Sequence, residues 1–141
     1  MEITLELFEE RCHEVLGELF REHGFEPVGA YSRLRGYAVE FARDADRIFV
    51  DKEGGVVSFD LILAARPDRF YRIDLNQLLW FNGTRSLAKC DDWDEGLRLF
   101  ETGFTPIASV TLSFDSEKMD SRFCFPMSRE QLDNYIRIQR G

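Results

Sequence analysis

The sequence predicts an α+β fold, with a long N-terminal helix and shorter helices packed on one face of a mainly antiparallel sheet of about five strands. Three observations predict it. The apolar period is helical up to about His23, alternates from Tyr37 to Leu63, and then switches between the two. Short turn signals separate the alternating runs, so antiparallel neighbours are the simplest connection. Helix-start residues recur at Thr4, Asp74, Asp92 and Ser128. With 141 residues the chain is long enough for one domain, residues 1–141, around one core. Its thirteen phenylalanines against three methionines make that core one of large rings.

The first helix is predicted over about residues 4 to 23. Leu5, Phe8, Cys12, Val15, Leu16, Leu19 and Phe20 follow the spacing of a core-facing stripe, Thr4 is the N-cap, and Gly24 is the stop. Beyond Pro27 the period becomes two. Tyr37, Val39 and Phe41 alternate with Ala38, Glu40 and Ala42, Ile48 and Val50 form a second run, and Lys52 to Gly55 is a turn. Val57, Phe59, Leu61 and Leu63 then define one face of a third strand, and Phe70 to Ile73 add a short edge segment. Asp74 with Gln77, and Asp92 with Glu95, are capping-box patterns that open two further helices. A hairpin is expected next, with Val110, Leu112 and Phe114 on one strand, a turn from Asp115 to Ser121, and Phe123 and Phe125 on the other. Ser128 with Gln131 starts the last helix, whose apolar positions include Leu132, Tyr135 and Ile136.

Charge is segregated along the chain. Glu2, Glu6, Glu10, Glu14, Glu18, Glu22 and Glu26 recur every fourth residue, so on a helix they trace a slowly winding carboxylate stripe. With Glu9, and against only Arg11 and Arg21, residues 1–26 carry −6 of a total net charge of −8. One element with most of the excess charge is what a docking face for a cationic partner requires, and also what a solvated helix side looks like. Repulsion between i and i+4 glutamates, about 0.2 to 0.5 kcal/mol per pair, gives stability no reason to choose the pattern. A second acidic cluster, Asp91, Asp92, Trp93, Asp94 and Glu95, combines an anchor of the type favoured at binding hot spots with carboxylates that steer cations. Helix capping and an inward-packed Trp93 explain the same residues.

Other chemistries find little support. The only histidines, His13 and His23, both lie on the first helix, and Cys12 falls on its apolar stripe as a buried thiol. There is no G-x-S-x-G, Walker A, G-x-G-x-x-G, H-E-x-x-H or C-x-x-C pattern, and the second acidic cluster lacks the spacing of an EF-hand, so neither cofactor nor metal is expected. Carboxylate catalysis would begin at Asp60 or Glu40 if these lined a pocket. Arg33, Arg35, Arg43 and Arg47 are too modest a basic stretch for nucleic acid in a chain of pI near 4.8. No run suits a membrane span, the acidic start differs from a signal peptide, and three cysteines form no disulfide framework, so a cytoplasmic location is expected.

The opening helix ending at Gly24-Phe25, the meander through Tyr37 to Phe41, Arg47 to Asp51 and Val57 to Leu63, and the helix with Leu79-Trp80-Phe81 carry a resemblance. Over about residues 5 to 81 the chain resembles small, uncharacterised bacterial α+β proteins, including immunity proteins of polymorphic toxin systems. That resemblance implies a cytoplasmic protein that acts by binding, often an acidic one that neutralises a basic nuclease toxin. The expectation is therefore a non-enzymatic protein-binding domain that occludes a basic partner through Glu6, Glu10, Glu14, Glu18 and the Asp91 to Glu95 cluster. The alternative is a small enzyme or ligand-binding domain with carboxylates in a pocket.

Overall fold

The structure, a computed structural model, describes residues 3–66, 69–113 and 122–141. Helix α1 (Leu5–Glu22) starts where Thr4 Oγ1 accepts the Leu7 N–H at 3.1 Å. It stops at Gly24, whose φ of +87° is open to glycine at no steric cost. The N–H of Phe25 then reaches the Phe20 carbonyl and that of Gly24 the Arg21 carbonyl, each at 3.0 Å, the double bond of a Schellman C-cap. Phe25, fully buried, turns the chain back onto the core.

Six strands follow in an antiparallel sheet whose spatial order is the chain order: β1 (Glu26–Arg33), β2 (Gly36–Arg43), β3 (Asp46–Glu53), β4 (Val56–Arg66), β5 (Arg69–Asp74) and β6 (Cys124–Met127). Between β5 and β6 run α2 (Leu75–Phe81), α3 (Trp93–Phe104) and α4 (Ala108–Leu112), and α5 (Arg129–Gln139) closes the chain. Strand parity assigns the two faces. Val39, Phe41, Ile48, Val50, Phe59, Leu61 and Ile73 point toward α1, α2 and α3 and form the main core with Phe8, Leu16, Phe20, Leu79 and Phe100. Its rings pack closely, with Phe59 stacked on Phe100 at 3.8 Å between centroids and Phe20 edge-on to Phe41 at 4.9 Å. Cys12 is buried among them, and burial pushes its thiol pKa up, away from reactivity.

The α+β class, the antiparallel sheet and the caps at Thr4, Asp74, Asp92 and Ser128 are as the sequence predicts. Four details differ. First, α5 lies on the opposite face of the sheet, where Leu132 joins Phe49, Ile62 and Phe70 in a second, smaller core, because Phe49 and Ile62 sit at the parity that faces away from α1. Second, β1 is an additional strand. Pro27, a register irregularity between Pro27 and Gly29, and an outer edge largely open to solvent conceal its alternation. Third, Val110 and Leu112 belong to α4 and not to a strand. Ala108 and Leu112, four apart, are buried together while Val110 is 81% exposed, and so short a run fits either period. Phe114 and the turn expected at residues 115 to 121 lie outside the described residues. Fourth, Phe125 pairs with Arg72 of β5, so the segment from Phe70 to Ile73 is interior and not the expected edge, and β6 extends the sheet and is no hairpin partner of residues 110–112.

Candidate functional site

Glu6, Glu10, Glu14 and Glu18 are all exposed along α1, and α3 packs beside that helix. Arg11 joins the two elements. Its Nη1 lies 3.0 Å from Glu14 Oε2 and its Nε 2.5 Å from Asp94 Oδ1, while Arg98 holds the other Asp94 oxygen at 2.8 Å. Glu14 and Asp94, far apart in sequence, thus meet at one arginine. Within the second cluster the roles divide. Asp92 Oδ1 accepts the N–H groups of Asp94 and Glu95 at 3.1 and 3.3 Å, so this carboxylate caps α3. Trp93 is half-buried and meets Phe8 edge-on at 5.7 Å, so most of its ring serves packing. Asp91, Asp92 and Glu95 remain exposed. The turn between β3 and β4 backs the lead into α3 so closely that a Cβ on Gly55 would stand 1.8 Å from the Asp91 carbonyl oxygen.

His13 stands among Glu6, Glu9, Glu10 and Glu14 in a shallow depression, with its ring edge-on to Phe41 at 5.8 Å. Among the described residues no group of three or more His, Cys, Asp or Glu side chains is arranged to hold a metal ion. No helix among them is long and apolar enough to cross a membrane.

A second polar constellation lies on the sheet face beneath α5. Glu40, with no solvent exposure, accepts from Arg140 through both oxygens at 2.9 and 2.8 Å and from the Tyr31 hydroxyl at 2.9 Å. Arg47 Nε stands 3.0 Å from Glu40 Oε2. Burial opposes ionisation of Glu40, but the hydrogen bonds of Arg140 and Tyr31 and the two guanidinium charges outweigh it and hold the pKa below the usual value. Asp60 accepts from the Tyr135 hydroxyl at 2.6 Å and lies 3.3 Å from Arg72. There burial prevails over both partners and raises the pKa. Asp51 is the least well matched of the three. Arg33 is 3.7 Å away, one carboxylate oxygen has no hydrogen-bond partner, and burial raises the pKa to about 6.

Glu40 and Asp60, the first candidates for carboxylate catalysis, are therefore each held by at least one arginine and one tyrosine hydroxyl under a helix. The neighbouring cleft is lined by Ala45, Arg47, Ala64, Phe70 and side chains of α5, and by neither carboxylate. Sequence reasoning missed Asp51, Arg72, Tyr135 and Arg140 as members of this constellation. Its signal was present in the strands: Glu40, Arg47, Asp51, Asp60 and Arg72 all sit at the parity opposite the main core, interleaved with Phe49 and Ile62. Charged and large apolar residues alternating across adjacent strands of one face mark a covered face. Comparison with protein-family models, with curated proteins and with solved structures found no match.

Proposed function

We propose that this protein acts by binding a basic partner protein, in the manner of a bacterial immunity protein, through the surface formed by α1 and the start of α3. One observation carries the reading. The Arg11 bridge to Glu14 and Asp94 sets two acidic segments, separated by some eighty residues, side by side, with Glu6, Glu10 and Glu18 exposed along the rest of α1 and Asp91 and Glu95 exposed at the start of α3. Such an acidic surface accelerates encounter with a cationic one and makes association depend on salt. Among the described residues of α1 and the α3 start, Arg11 and Arg98 are engaged with Glu14 and Asp94 and Arg21 lies 3.7 Å from Glu26, which leaves the excess negative.

Affinity capture from the source cells, with wild type compared against a variant carrying Glu6→Gln, Glu10→Gln, Glu14→Gln and Glu18→Gln, tests the reading. A basic protein retained by wild type, released by added salt and lost by the variant is the expected result. Equal recovery of every partner by both forms would overturn it.

A further inference from the structure

On the far side of the sheet from α1, α5 and the strands border an open cleft of about 670 Å³, within the size range of small-molecule sites. It exists because the residues opposite the helix are small. Ala45 and Ala64 present only methyl groups where larger side chains would fill the space, and Phe70, Leu132 and Ile136 complete an apolar floor. The helix wall is one stripe of α5, with Arg129, Asp133, Arg137 and Arg140 at helical spacing, and Arg47 of β3 faces it. Four arginines thus line one cleft in a chain with 18 lysines and arginines and a net charge of −8.

Among the described residues their counter-charges are fewer than they are. Arg47 and Arg140 share the single carboxylate of Glu40. Arg129 lies 3.9 Å from Asp133 and over the Phe70 ring at 4.6 Å, and Arg137 donates to the neutral amide of Asn134. The nearby Asp46 carboxylate is engaged by Arg43 at 3.0 Å and the Ala64 N–H at 2.9 Å. Among the described residues, four guanidiniums therefore face two carboxylates, Asp133 and the already shared Glu40. Planar guanidinium forks match the oxygens of carboxylate and phosphate, and an apolar floor beneath them adds burial for whatever carries the anion. We propose that this cleft binds an organic oxyanion, a phosphate or carboxylate group borne on an apolar body, with the anion at the Arg137 and Arg140 end of the helix wall and the body along Leu132 and Ile136 toward Arg129, which flanks Phe70.

Titration calorimetry of the full chain with phenyl phosphate, benzoate, inorganic phosphate and benzyl alcohol tests this. At least one of the two aromatic anions should bind about tenfold or more tightly than both inorganic phosphate and the neutral alcohol, and added salt should weaken it. Arg129→Gln with Arg137→Gln, both at exposed positions that leave the Glu40 constellation intact, should reduce that affinity about tenfold with an unchanged circular dichroism spectrum. The quadruple Glu→Gln variant of α1 should bind like wild type, which separates this site from the acidic surface. Aromatic anions that bind no better than benzyl alcohol, or that bind the double arginine variant as tightly as wild type, would overturn the proposal.

Discussion

Asp51 shows how one buried group sets a pH dependence. Its pKa is raised from 3.8 to about 6, chiefly by burial, so the folded chain holds the proton more tightly than the unfolded chain does. The stabilisation this provides is complete below the unfolded value and is lost as pH rises through about 6. Asp51→Asn removes the ionisation cost, and urea unfolding should show a gain of about 1 to 3 kcal/mol at neutral pH and little change near pH 4. Glu40 behaves oppositely. Its lowered pKa means that its stabilisation is present at neutral pH and is lost as pH falls through the folded value. Glu40→Gln leaves Arg47 and Arg140 close together without their shared counter-charge, and the same unfolding measurement should register a loss of about 3 kcal/mol or more.

At the scale of elements, caps and close approaches hold the helices where the chemistry needs them. Ser128 and Gln131 form a complete capping box at the start of α5, with the Gln131 N–H to Ser128 Oγ at 3.1 Å and the Ser128 N–H to Gln131 Oε1 at 2.8 Å. Ser128→Ala should cost about 1 kcal/mol, and hydrogen exchange should quicken across α5 while α1 stays protected. Gly55 has another reason for being glycine. A methyl group there would collide with the Asp91 carbonyl, so Gly55→Ala should shift the start of α3 and weaken the Arg11 bridge to Asp94. A perturbed Trp93 fluorescence spectrum together with a lower urea midpoint would report that shift, and an unchanged spectrum would contradict it.

Across the whole molecule the sheet separates two surfaces of opposite character, the carboxylates of α1 and α3 on one side and the arginines around α5 on the other. The acidic ladder contains three adjacent i, i+4 glutamate pairs between Glu6 and Glu18, each costing about 0.2 to 0.5 kcal/mol. Replacing those four glutamates with glutamine should therefore stabilise the isolated protein by about 1 kcal/mol at low salt, with the gain shrinking as salt is added. A loss of stability instead would assign the ladder a structural role and remove the argument that it is retained for binding.

What the sequence determined by itself was local. Helical and alternating periods, Ser/Thr/Asp caps and Gly24 fixed α1, β2 to β5, α2, α3 and α5, since each depends on contacts within a few residues. The same periodicity also placed Glu6, Glu10, Glu14 and Glu18 on the solvent side of α1. Local signals failed where short segments fit two periods, as at Val110 and Leu112, or where proline and a register irregularity interrupt an edge strand, as in β1. Only the tertiary structure decided that α5 crosses to the second face of the sheet. It alone brought Asp94 to Arg11, gathered Glu40, Asp51 and Asp60 beneath α5, and assembled Arg47 with Arg129, Arg137 and Arg140 round one cleft. The physical reason is distance along the chain. The Arg11–Asp94 and Glu40–Arg140 pairs join residues 83 and 100 positions apart, and no local pattern encodes a contact that exists only once the sheet has chosen which face each helix covers.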